Sequence, residues 1–452
     1  MIYGPTFGEM RDPGRMPPGV RARALKALSD PAQALDPINL YNITWKDGEN
    51  RVRHLVMPPA LTGVDAPIVV LSGRFFPTGS HKVGPGYSIL AELQLEGQAV
   101  PGKHTLIWPS TGNYGIGGAW VGPRMGYRSL VVLPEEMSQE RFERIRQYGA
   151  DVIATPGCES NVKEIYDKVH ELRRNPENRV IQQFAEFANY RFHYEVTGNA
   201  ALELCQELGL RPAAFVSAMG SAGTIAAGDR LKDVHPSSVT VGLEPVQCPT
   251  LYNVGFGAHR IEGIGDKHVT WIHNVKNMDY LMCIDDFDCL KGLQLVQEGT
   301  ETLIEALRLS EPEARSLVNF FGVSGICNVL GAIKTARLLD LNSKQAVVTV
   351  ATDSFDRYPS VLRKLTAEYG PQDRDEALRR IAIFQRPSFG YIQEGTRTLR
   401  ERWHNQKYFT WVEQQGKTVE ELRALGSQET WKAELAKIPD IDRRLSEARA
   451  AV

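Results

Sequence analysis

The sequence predicts an α/β protein built on doubly wound, mostly parallel sheets. From about residue 61, short apolar runs alternate with longer helix-favouring stretches, the pattern of parallel strands joined by helical crossovers. The apolar positions within each run are consecutive, as expected of strands buried on both faces. The predicted strands span residues 67–73, 104–109, 129–134, 151–156, 213–220, 238–245 and 345–353. In such sheets ligands bind beyond the carboxyl ends of the strands, so the turns there are the places to search.

Composition narrows the class of protein. The 452 residues are 42% hydrophobic and 23% charged, which is typical of a globular protein of two or more domains. Lys and Arg total 52 against 54 Asp and Glu, so no excess of positive charge favours binding to nucleic acid. No apolar run approaches the roughly 20 residues that span a bilayer. The Gly- and Pro-rich N-terminus lacks the apolar core of a secretory signal, so we expect a cytoplasmic protein.

The six cysteines are scattered through the chain. They form no CxxC pair and no Cys/His cluster at metal-ligand spacing, so no metal site is expected. We interpret them as mostly buried thiols in a reducing compartment.

Two helices and two terminal segments follow from local signals. A short helix is expected near residues 21–30, and another over 138–150, where Ser138 is placed to cap the start and Gly149 to end the helix. Residues 1–60 are rich in Pro, Gly and polar residues at first and resemble an arm over a core. Residues 361–452 are charged and helix-favouring, which predicts a helical extension.

Three strand ends carry groups suited to binding. Residues 110–118 (STGNYGIGG) and 220–224 (GSAGT) each precede an expected helix and offer backbone N–H donors to an anion, although packing glycines or a tight turn explain either one alone. The second lacks the lysine of an ATP-type loop. At the third, Asp353 and Ser354 leave the sheet; a serine hydroxyl there can bond a ring nitrogen, whereas a simple turn is the plainer reading.

Lys82 lies in the glycine-lined segment FFPTGSHKVGPGY (75–87). Most lysines are solvated. A lysine in an apolar setting without an acidic partner has its pKa lowered by desolvation, which makes the neutral amine available to form a Schiff base.

Four segments, the lysine segment followed along the chain by the three strand ends, together resemble the cysteine synthase and cystathionine β-synthase family of pyridoxal-phosphate enzymes. This family has the tryptophan synthase β-like fold. TGSHK (78–82) is similar to the turn with the Schiff-base lysine, STGNYG (110–115) to the substrate loop, GSAGT (220–224) to the phosphate loop and DSFDRY (353–358) to the end of the last strand. The resemblance covers about residues 60–365. It implies a larger cofactor-binding domain (61–105 and 190–360) and a smaller domain with the substrate loop (106–189).

The resemblance also implies roles for individual residues. Lys82 binds pyridoxal 5′-phosphate and then takes the α-proton, Asn113 bonds the cofactor's phenolic oxygen, and Ser354 faces its pyridine nitrogen. A serine there favours β-elimination over transamination. The phosphate ligands are Gly220, Ser221, Ala222, Gly223 and Thr224. The substrate-binding residues are Ser110, Thr111, Gly112, Tyr114 and Gln183.

Several residues depart from the family pattern. Val83, followed by Gly-Pro-Gly, replaces an Asp and an Arg-containing run, so the helix after the lysine is expected to start later. Tyr114 replaces a small Thr, and its phenol can hydrogen-bond, act as an acid or restrict the acceptor. Ala222 and Phe355 replace glycines.

We therefore expect β-elimination or β-replacement on a small amino acid through an aminoacrylate, as in a cysteine synthase. The alternatives are a β-lyase, of cysteine desulfhydrase or ammonia-lyase type, that releases pyruvate or another keto acid, and a catalytically silent binding relative. Serine/threonine dehydratases share the fold, but their all-glycine phosphate loop is a poorer match to GSAGT.

The remaining candidates are interpreted as structural. His81 is expected to be a loop histidine with one hydrogen bond rather than a proton relay, and Glu244 and Cys248 to be structural or rim residues. The Trp and Arg residues of the extension are expected to pack helices on the core or on a second subunit, which predicts a homodimer. They are Arg397, Arg400, Trp403, Trp411 and Trp431.

Overall fold

The computed structural model describes residues 1–110, 112–158 and 161–451. The strands are β1 (His54–Val56), β2 (Ile68–Ser72), β3 (Thr105–Pro109), β4 (Arg128–Pro134), β5 (Asp151–Thr155), β6 (Asn178–Val180), β7 (Arg211–Ala218), β8 (Val239–Pro245), β9 (Tyr280–Ile284), β10 (Gln345–Ala351) and β11 (Ile392–Glu394). All seven predicted strands are present. The four strands that the sequence did not predict include three of only three residues, too short to show a period.

The α-helices lie between and after these strands. They are α1 (Phe7–Arg11), α2 (Pro18–Ser29), α3 (Pro59–Thr62), α4 (Val83–Leu95), α5 (Asn113–Arg124), α6 (Gln139–Gln147), α7 (Val162–Leu172), α8 (Phe187–Phe192), α9 (Asn199–Glu207), α10 (Ile225–Val234), α11 (Thr250–Asn253), α12 (Asp286–Glu298), α13 (Thr300–Leu307), α14 (Glu311–Leu317), α15 (Val323–Leu338), α16 (Pro359–Tyr369), α17 (Arg374–Gln385), α18 (Arg397–Asn405), α19 (Lys407–Trp411), α20 (Val419–Ala424), α21 (Gln428–Leu435) and α22 (Ile438–Ala450). Among the described helices, none combines the length and apolar composition needed to cross a bilayer.

The strands form two sheets. The larger has the order β1-β2-β10-β7-β8-β9-β11, and its five middle strands are parallel. The smaller has the order β5-β4-β3-β6 and is parallel throughout. The predicted α/β fold with mostly parallel sheets is confirmed. The domain boundaries drawn from the sequence stay a prediction.

The edges of the larger sheet come from the two terminal segments. β1, in the N-terminal arm, and β11, in the C-terminal extension, pair antiparallel with β2 and β9. The predicted helical character of the extension is confirmed, and the three-residue strand β11 is the addition that the sequence did not predict; it covers the open edge of β9.

The strand register aligns three carboxyl ends that matter for binding. Val348 of β10 pairs with Val69 of β2 on one side and Phe215 of β7 on the other. The turn after β2 is tied to this edge, since the His81 N–H donates to the Thr352 carbonyl at 3.3 Å. One apolar cluster that contains Val69 and Val348 also contains Trp108 of β3, and it joins the two sheets. The segments predicted to bind ligand thus meet between the sheets.

Local signals for helices are partly confirmed. The predicted helix near residues 21–30 is α2, and that over 138–150 is α6. Ser138 occupies the cap position of α6, but its side chain makes no capping bond, and its Oγ is buried without a hydrogen-bond partner among the described residues. The cap prediction is wrong in its chemistry. Gly149 does take the left-handed conformation that ends the segment, with φ +90°.

The helix after the lysine starts earlier than the sequence predicted. α4 begins at Val83, directly after Lys82. Pro85 falls in the first turn, where a missing N–H breaks no helical bond. Gly84 is needed there because a Cβ would lie 2.1 Å from the Phe192 ring. The Gly-Pro-Gly run therefore permits a close helix contact rather than delaying the helix.

The tryptophans of the extension pack against this chain. Trp403, Trp411 and Trp431 are each buried, and the last two share an apolar cluster with Phe184 and Trp271 near the carboxyl edge. The indole N–H of Trp411 donates to the Val269 carbonyl at 2.8 Å. These residues therefore supply no argument for a second subunit.

Truncating Trp431 tests this packing. The Trp431→Ala variant is expected to lower the free energy of unfolding by about 3–5 kcal/mol, because it leaves a cavity among buried rings. Urea unfolding measures this. Phe409→Ala is the matched control, since this ring is 59% exposed and its loss is expected to change stability by less than about 0.5 kcal/mol. Equal changes for the two variants would show that the extension does not pack as described.

Candidate active site

One cavity between the sheets collects most of the residues predicted to bind ligand. Of these, Lys82, Ser110, Gly112, Asn113, Tyr114, Gln183, Gly220, Ser221, Ala222 and Thr224 line it. Gly223 and Ser354 are not among the described residues that line it, and Thr111 lies outside the described residues. His81, Ser217, Ala218, Gly263, Ile264, Ser324, Asn328 and Thr352 line it without having been predicted.

Lys82 lies at the start of α4 and points across the cavity. Its Nζ donates a hydrogen bond to Ser221 Oγ at 2.9 Å. Burial lowers the pKa of Lys82 to about 8, and the carboxylate of Asp266 opposes this shift. The amine therefore has an acidic group within electrostatic range, which the sequence did not reveal, although no ion pair or hydrogen bond joins the two groups in the described part of the chain.

Residues 220–224 form a cup at the start of α10. Ser221 Oγ accepts from Lys82 and, at 3.1 Å, from the Asn189 side chain, and Thr224 Oγ1 is bonded to Ser217 Oγ at 2.7 Å. A Cβ on Gly220 would lie 2.5 Å from the Gly263 carbonyl, so only glycine fits there. Ala222 takes φ +59°, a left-handed conformation that costs about 1 kcal/mol for a residue with a Cβ. Helix α10 directs its positive end at this cup.

The segment after β3 is shaped by Ser110. This serine is fully buried, and its Oγ accepts from the Gly112 N–H at 2.9 Å and the Gly115 N–H at 2.7 Å. These bonds turn the chain into α5 and aim Asn113 at the cavity. The hydroxyl of Ser110 is thus already engaged by the backbone of its own loop.

The Tyr114 hydroxyl is hydrogen-bonded to the backbone and is not placed to transfer a proton. It donates to the Ile181 carbonyl at 3.1 Å, and the Tyr114 ring packs at 5.6 Å from that of Trp108. Burial raises the pKa of the phenol well above its usual value. Of the three roles left open by the sequence, this favours the steric one: the ring narrows the cavity.

A buried network of charged and polar side chains fixes the position of Asn113. Its amide donates to Asp353 Oδ2 at 2.6 Å, and the Tyr358 hydroxyl donates to the same oxygen at 2.8 Å. Arg141 of α6 donates to the Tyr358 hydroxyl at 2.9 Å and to Glu262 at 2.5 Å. Arg141 and Asp353 are each fully buried. The network links α6, beside the smaller sheet, to the end of β10 in the larger.

Ser354 lies beside this network rather than at the cavity wall. Its hydroxyl donates to Asp356 Oδ1 at 2.6 Å, and Asp356 in turn pairs with Arg144 at 2.8 Å. The neighbouring Thr352 does line the cavity. The described geometry therefore places the strand end correctly but engages the serine hydroxyl elsewhere.

His81 differs from the prediction. The sequence predicted one hydrogen bond, yet neither ring nitrogen has a hydrogen-bond partner among the described residues. The ring packs instead between Trp45, at 5.5 Å, and His193, at 5.1 Å. Burial and the charge of Lys82 lower the pKa of His81 well below its usual value. A neutral, unbonded imidazole packs here as an aromatic ring.

Glu244 and Cys248 have the structural roles expected of them. The Glu244 carboxylate accepts from the Leu251 N–H at 2.7 Å and the Tyr252 N–H at 3.1 Å. The Cys248 thiol donates to the Gly265 carbonyl at 3.2 Å. Five of the six cysteines are buried, as predicted.

Sequence reasoning missed three kinds of residue at the site. Arg141 was given no role from the sequence, although it lies one turn before the buried Ile145. Asn328 bridges two strand ends, since it accepts from the Ala218 N–H and donates to the Val350 carbonyl, each at 2.7 Å. Asp266 is a buried carboxylate just beyond the cavity-lining Gly263 and Ile264. A charge directly after closely spaced glycines was the available signal for Asp266.

Comparisons with known proteins agree with this geometry. The family model described as "Pyridoxal-phosphate dependent enzyme" matches residues 57–353. A cysteine synthase of Staphylococcus aureus is 30% identical over 285 residues, 63% of this chain and 84% of that protein. A probable cysteine synthase of Bacillus subtilis is 30% identical over 295 residues, 65% of this chain and 88% of that protein.

A solved structure shares the fold. The O-acetylserine dependent cystathionine β-synthase of Helicobacter pylori aligns with a TM-score of 0.58 and 26% identity, over 68% of this chain and 94% of that one. The resemblance stated from the motifs, the cofactor it implied and the enzyme class are confirmed. The chain belongs to the family of pyridoxal-phosphate dependent enzymes.

Proposed function

We propose that this enzyme eliminates or replaces the β-substituent of a small amino acid, with Lys82 as the lysine that carries the cofactor and moves the α-proton. The observation that carries the proposal is the hydrogen bond of 2.9 Å between Lys82 Nζ and Ser221 Oγ. The cavity is lined by this amine, by Gly220, Ser221, Ala222 and Thr224 of the cup, and by Ser110, Gly112, Asn113 and Tyr114 after β3. A lysine for the aldehyde, a cup for the phosphate and a loop for the substrate are the parts this chemistry needs.

The residues present fit pyridoxal phosphate. Four buried polar atoms of lining residues, Ser324 Oγ, Asn113 Oδ1 and the two ring nitrogens of His81, have no hydrogen-bond partner among the described residues. The backbone of 220–224 would hold the phosphate at the positive end of α10. Asn113 would reach the phenolic oxygen through the second proton of its amide, since one proton is used by Asp353. When bound, the cofactor supplies a sink for the electron pair released at Cα.

The protein's own groups handle the protons and the substrate. At pH 7 about one tenth of the Lys82 amines are uncharged, because the pKa is lowered to about 8. Lys82 can therefore take the α-proton as a base and return it as an acid. Gly112 and Gln183 line the cavity beside Asn113, where we place the substrate α-carboxylate. Ser354 is proposed to turn from Asp356 toward the pyridine nitrogen.

Cofactor capture by the apoprotein is expected to depend on pH. The neutral amine is the nucleophile, so below a pH of about 8 the rate of capture should fall roughly tenfold per unit as Lys82 becomes protonated. Above that pH the rate should level off. Stopped-flow measurement of the rising visible band tests this. A rate independent of pH between 6 and 9 would contradict the lowered pKa.

The leading reaction is that of a cysteine synthase, in which a sulfur nucleophile replaces the β-substituent. The names of the relatives from S. aureus and B. subtilis support it. Product analysis with O-acetylserine plus sulfide, and with cysteine or serine alone, tests the proposal: cysteine formed in the first assay supports replacement, and pyruvate in the others supports a β-lyase. A purified protein that does not bind pyridoxal phosphate would favour the catalytically silent relative.

We further propose a cytoplasmic homodimer. Buried thiols without disulfides among the described cysteines support a reducing compartment. Sedimentation equilibrium tests the dimer, which rests on the prevalence of twofold homodimers rather than on the tryptophans of the extension.

A further inference from the structure

Asp266 carries a buried carboxylate close to the phosphate cup. It is 5% exposed, and neither carboxylate oxygen has a hydrogen-bond partner within residues 1–110, 112–158 and 161–451. Other buried aspartates are bonded: Asp229 accepts from Tyr190 and Asn274, and Asp353 from Asn113. An unpartnered buried carboxylate is costly and needs an explanation.

The position of Asp266 is set by its backbone. The Gly265 N–H donates to the Met219 carbonyl at 3.0 Å, and Thr250 Oγ1 donates to the Asp266 carbonyl at 2.9 Å. Further along, Thr270 Oγ1 donates to the Ser221 carbonyl at 2.9 Å. The segment is thus anchored beside the phosphate cup, so the isolation of the carboxylate does not come from a loose loop.

The residues just before Asp266 belong to the cavity wall, since Gly263 and Ile264 line the cavity together with Lys82 and Ser221. The positive charge of Lys82 lowers the pKa of Asp266. The negative charge of Asp266 in turn contributes to raising the pKa of Tyr166 and that of Cys248. The Tyr166 hydroxyl lies 3.2 Å from His268 Nε2 and is engaged there. Burial raises the pKa of Asp266 to about 7, so both of its protonation states are populated at neutral pH.

We propose that Asp266 is the acid and base for the β-substituent, while Lys82 serves the α-carbon; this rests on the function proposed above. In elimination, Lys82 takes the α-proton and the Cα–H electron pair forms the Cα=Cβ bond. The Cβ–S or Cβ–O bond breaks with its pair going to the heteroatom, and Asp266 gives that atom its carboxyl proton. In replacement, the Asp266 carboxylate takes the proton of the incoming thiol or water, whose electron pair bonds Cβ, and Lys82 returns its proton to Cα.

This assignment points to a substrate class. A thiolate or hydroxide leaves poorly without a proton, because its conjugate acid is weak, with a pKa of about 8.5 for a thiol. Acetate is a far weaker base and needs no such help. A general acid therefore accelerates the loss of the β-substituent from β-thiol and β-hydroxyl amino acids, such as cysteine and serine. It has little effect on the loss of a carboxylate from an O-acyl ester.

The test compares leaving groups in the holoenzyme. For Asp266→Asn, kcat/KM for β-elimination from L-cysteine is expected to fall about 100-fold, the contribution typical of a general acid, while that from O-acetyl-L-serine falls less than about threefold. Sulfide and acetate release measure the two. The matched control is Asp286→Asn, a buried aspartate at the start of α12 whose loss should change both rates equally or not at all.

A second readout does not depend on turnover. The negative charge of Asp266 stabilises a proton on the nearby lysine nitrogen, so the pH-dependent step of the holoenzyme's visible band should move to lower pH in Asp266→Asn and stay in place in Asp286→Asn. Equal losses with both substrates, or an unshifted band, would overturn the role of Asp266 alone. A wild type with no visible band and no turnover would overturn the proposed function, and this role with it.

Discussion

The Lys82→Ala variant is expected to lose the visible absorption band of the bound cofactor and to retain less than about one part in 10³ of the wild-type kcat/KM. The variant lacks both the amine that carries the cofactor and the base proposed for the α-proton. The phosphate cup does not depend on this amine, so weaker, non-covalent cofactor binding is expected to remain. Absorbance spectra after gel filtration, together with product assays, measure the two losses.

Lys334→Met serves as the control for this experiment. Lys334 is also buried, but its Nζ donates to the carbonyls of Cys283 and Gly390, away from the cavity. This variant is expected to be less stable and yet to keep the visible band. If Lys334→Met lost the band while Lys82→Ala kept it, the assignment of the reactive lysine would be wrong.

The Arg141→Met variant is expected to lower the free energy of unfolding by about 3–5 kcal/mol. Removing this buried guanidinium leaves the Glu262 carboxylate without the cation it pairs with, and leaves Asp353 with Arg357 at 3.9 Å in place of two cations. Because Asp353 holds Asn113, the affinity for the cofactor should fall as well. Urea unfolding and cofactor titration measure the two effects.

Arg146→Met on the same helix is the matched control. Arg146 is exposed on α6, so this identical substitution should change stability by less than about 0.5 kcal/mol. Should Arg141→Met be as stable as the wild type, the network below Asn113 would contribute nothing to the fold.

The motifs predicted the cavity because each is a contiguous segment whose backbone conformation requires particular residue types. The glycines of 220–224 and the serine-led turn of 110–115 are needed wherever a strand passes into a helix around an anion, so their residue types reveal the purpose. Lys82 stood out because glycines surround it. Parallel strand ends meet at one edge of a sheet, and this rule alone was enough to bring such turns together.

Individual partners were beyond such reasoning. His81 was expected to hydrogen-bond, but it is enclosed by Trp45 and His193, which lie far from it in the chain. Ser354 was expected at the cavity, yet its hydroxyl is bonded to Asp356. A side chain of a given type has several satisfactory environments, and only packing selects one of them.

By itself, the sequence determined the alternation of strands and helices, the four segments that bear the chemistry and the family to which they belong. These follow from periodicity and from short motifs, whose physics is local. Only the tertiary structure decided which charges are buried together. Arg141 meets Glu262 across 121 residues, and the buried carboxylate of Asp266 lies within electrostatic range of Lys82 without a hydrogen-bond partner in the described part of the chain. The reason is physical: desolvation and pairing depend on which distant segments exclude water from a group, and no local pattern records that.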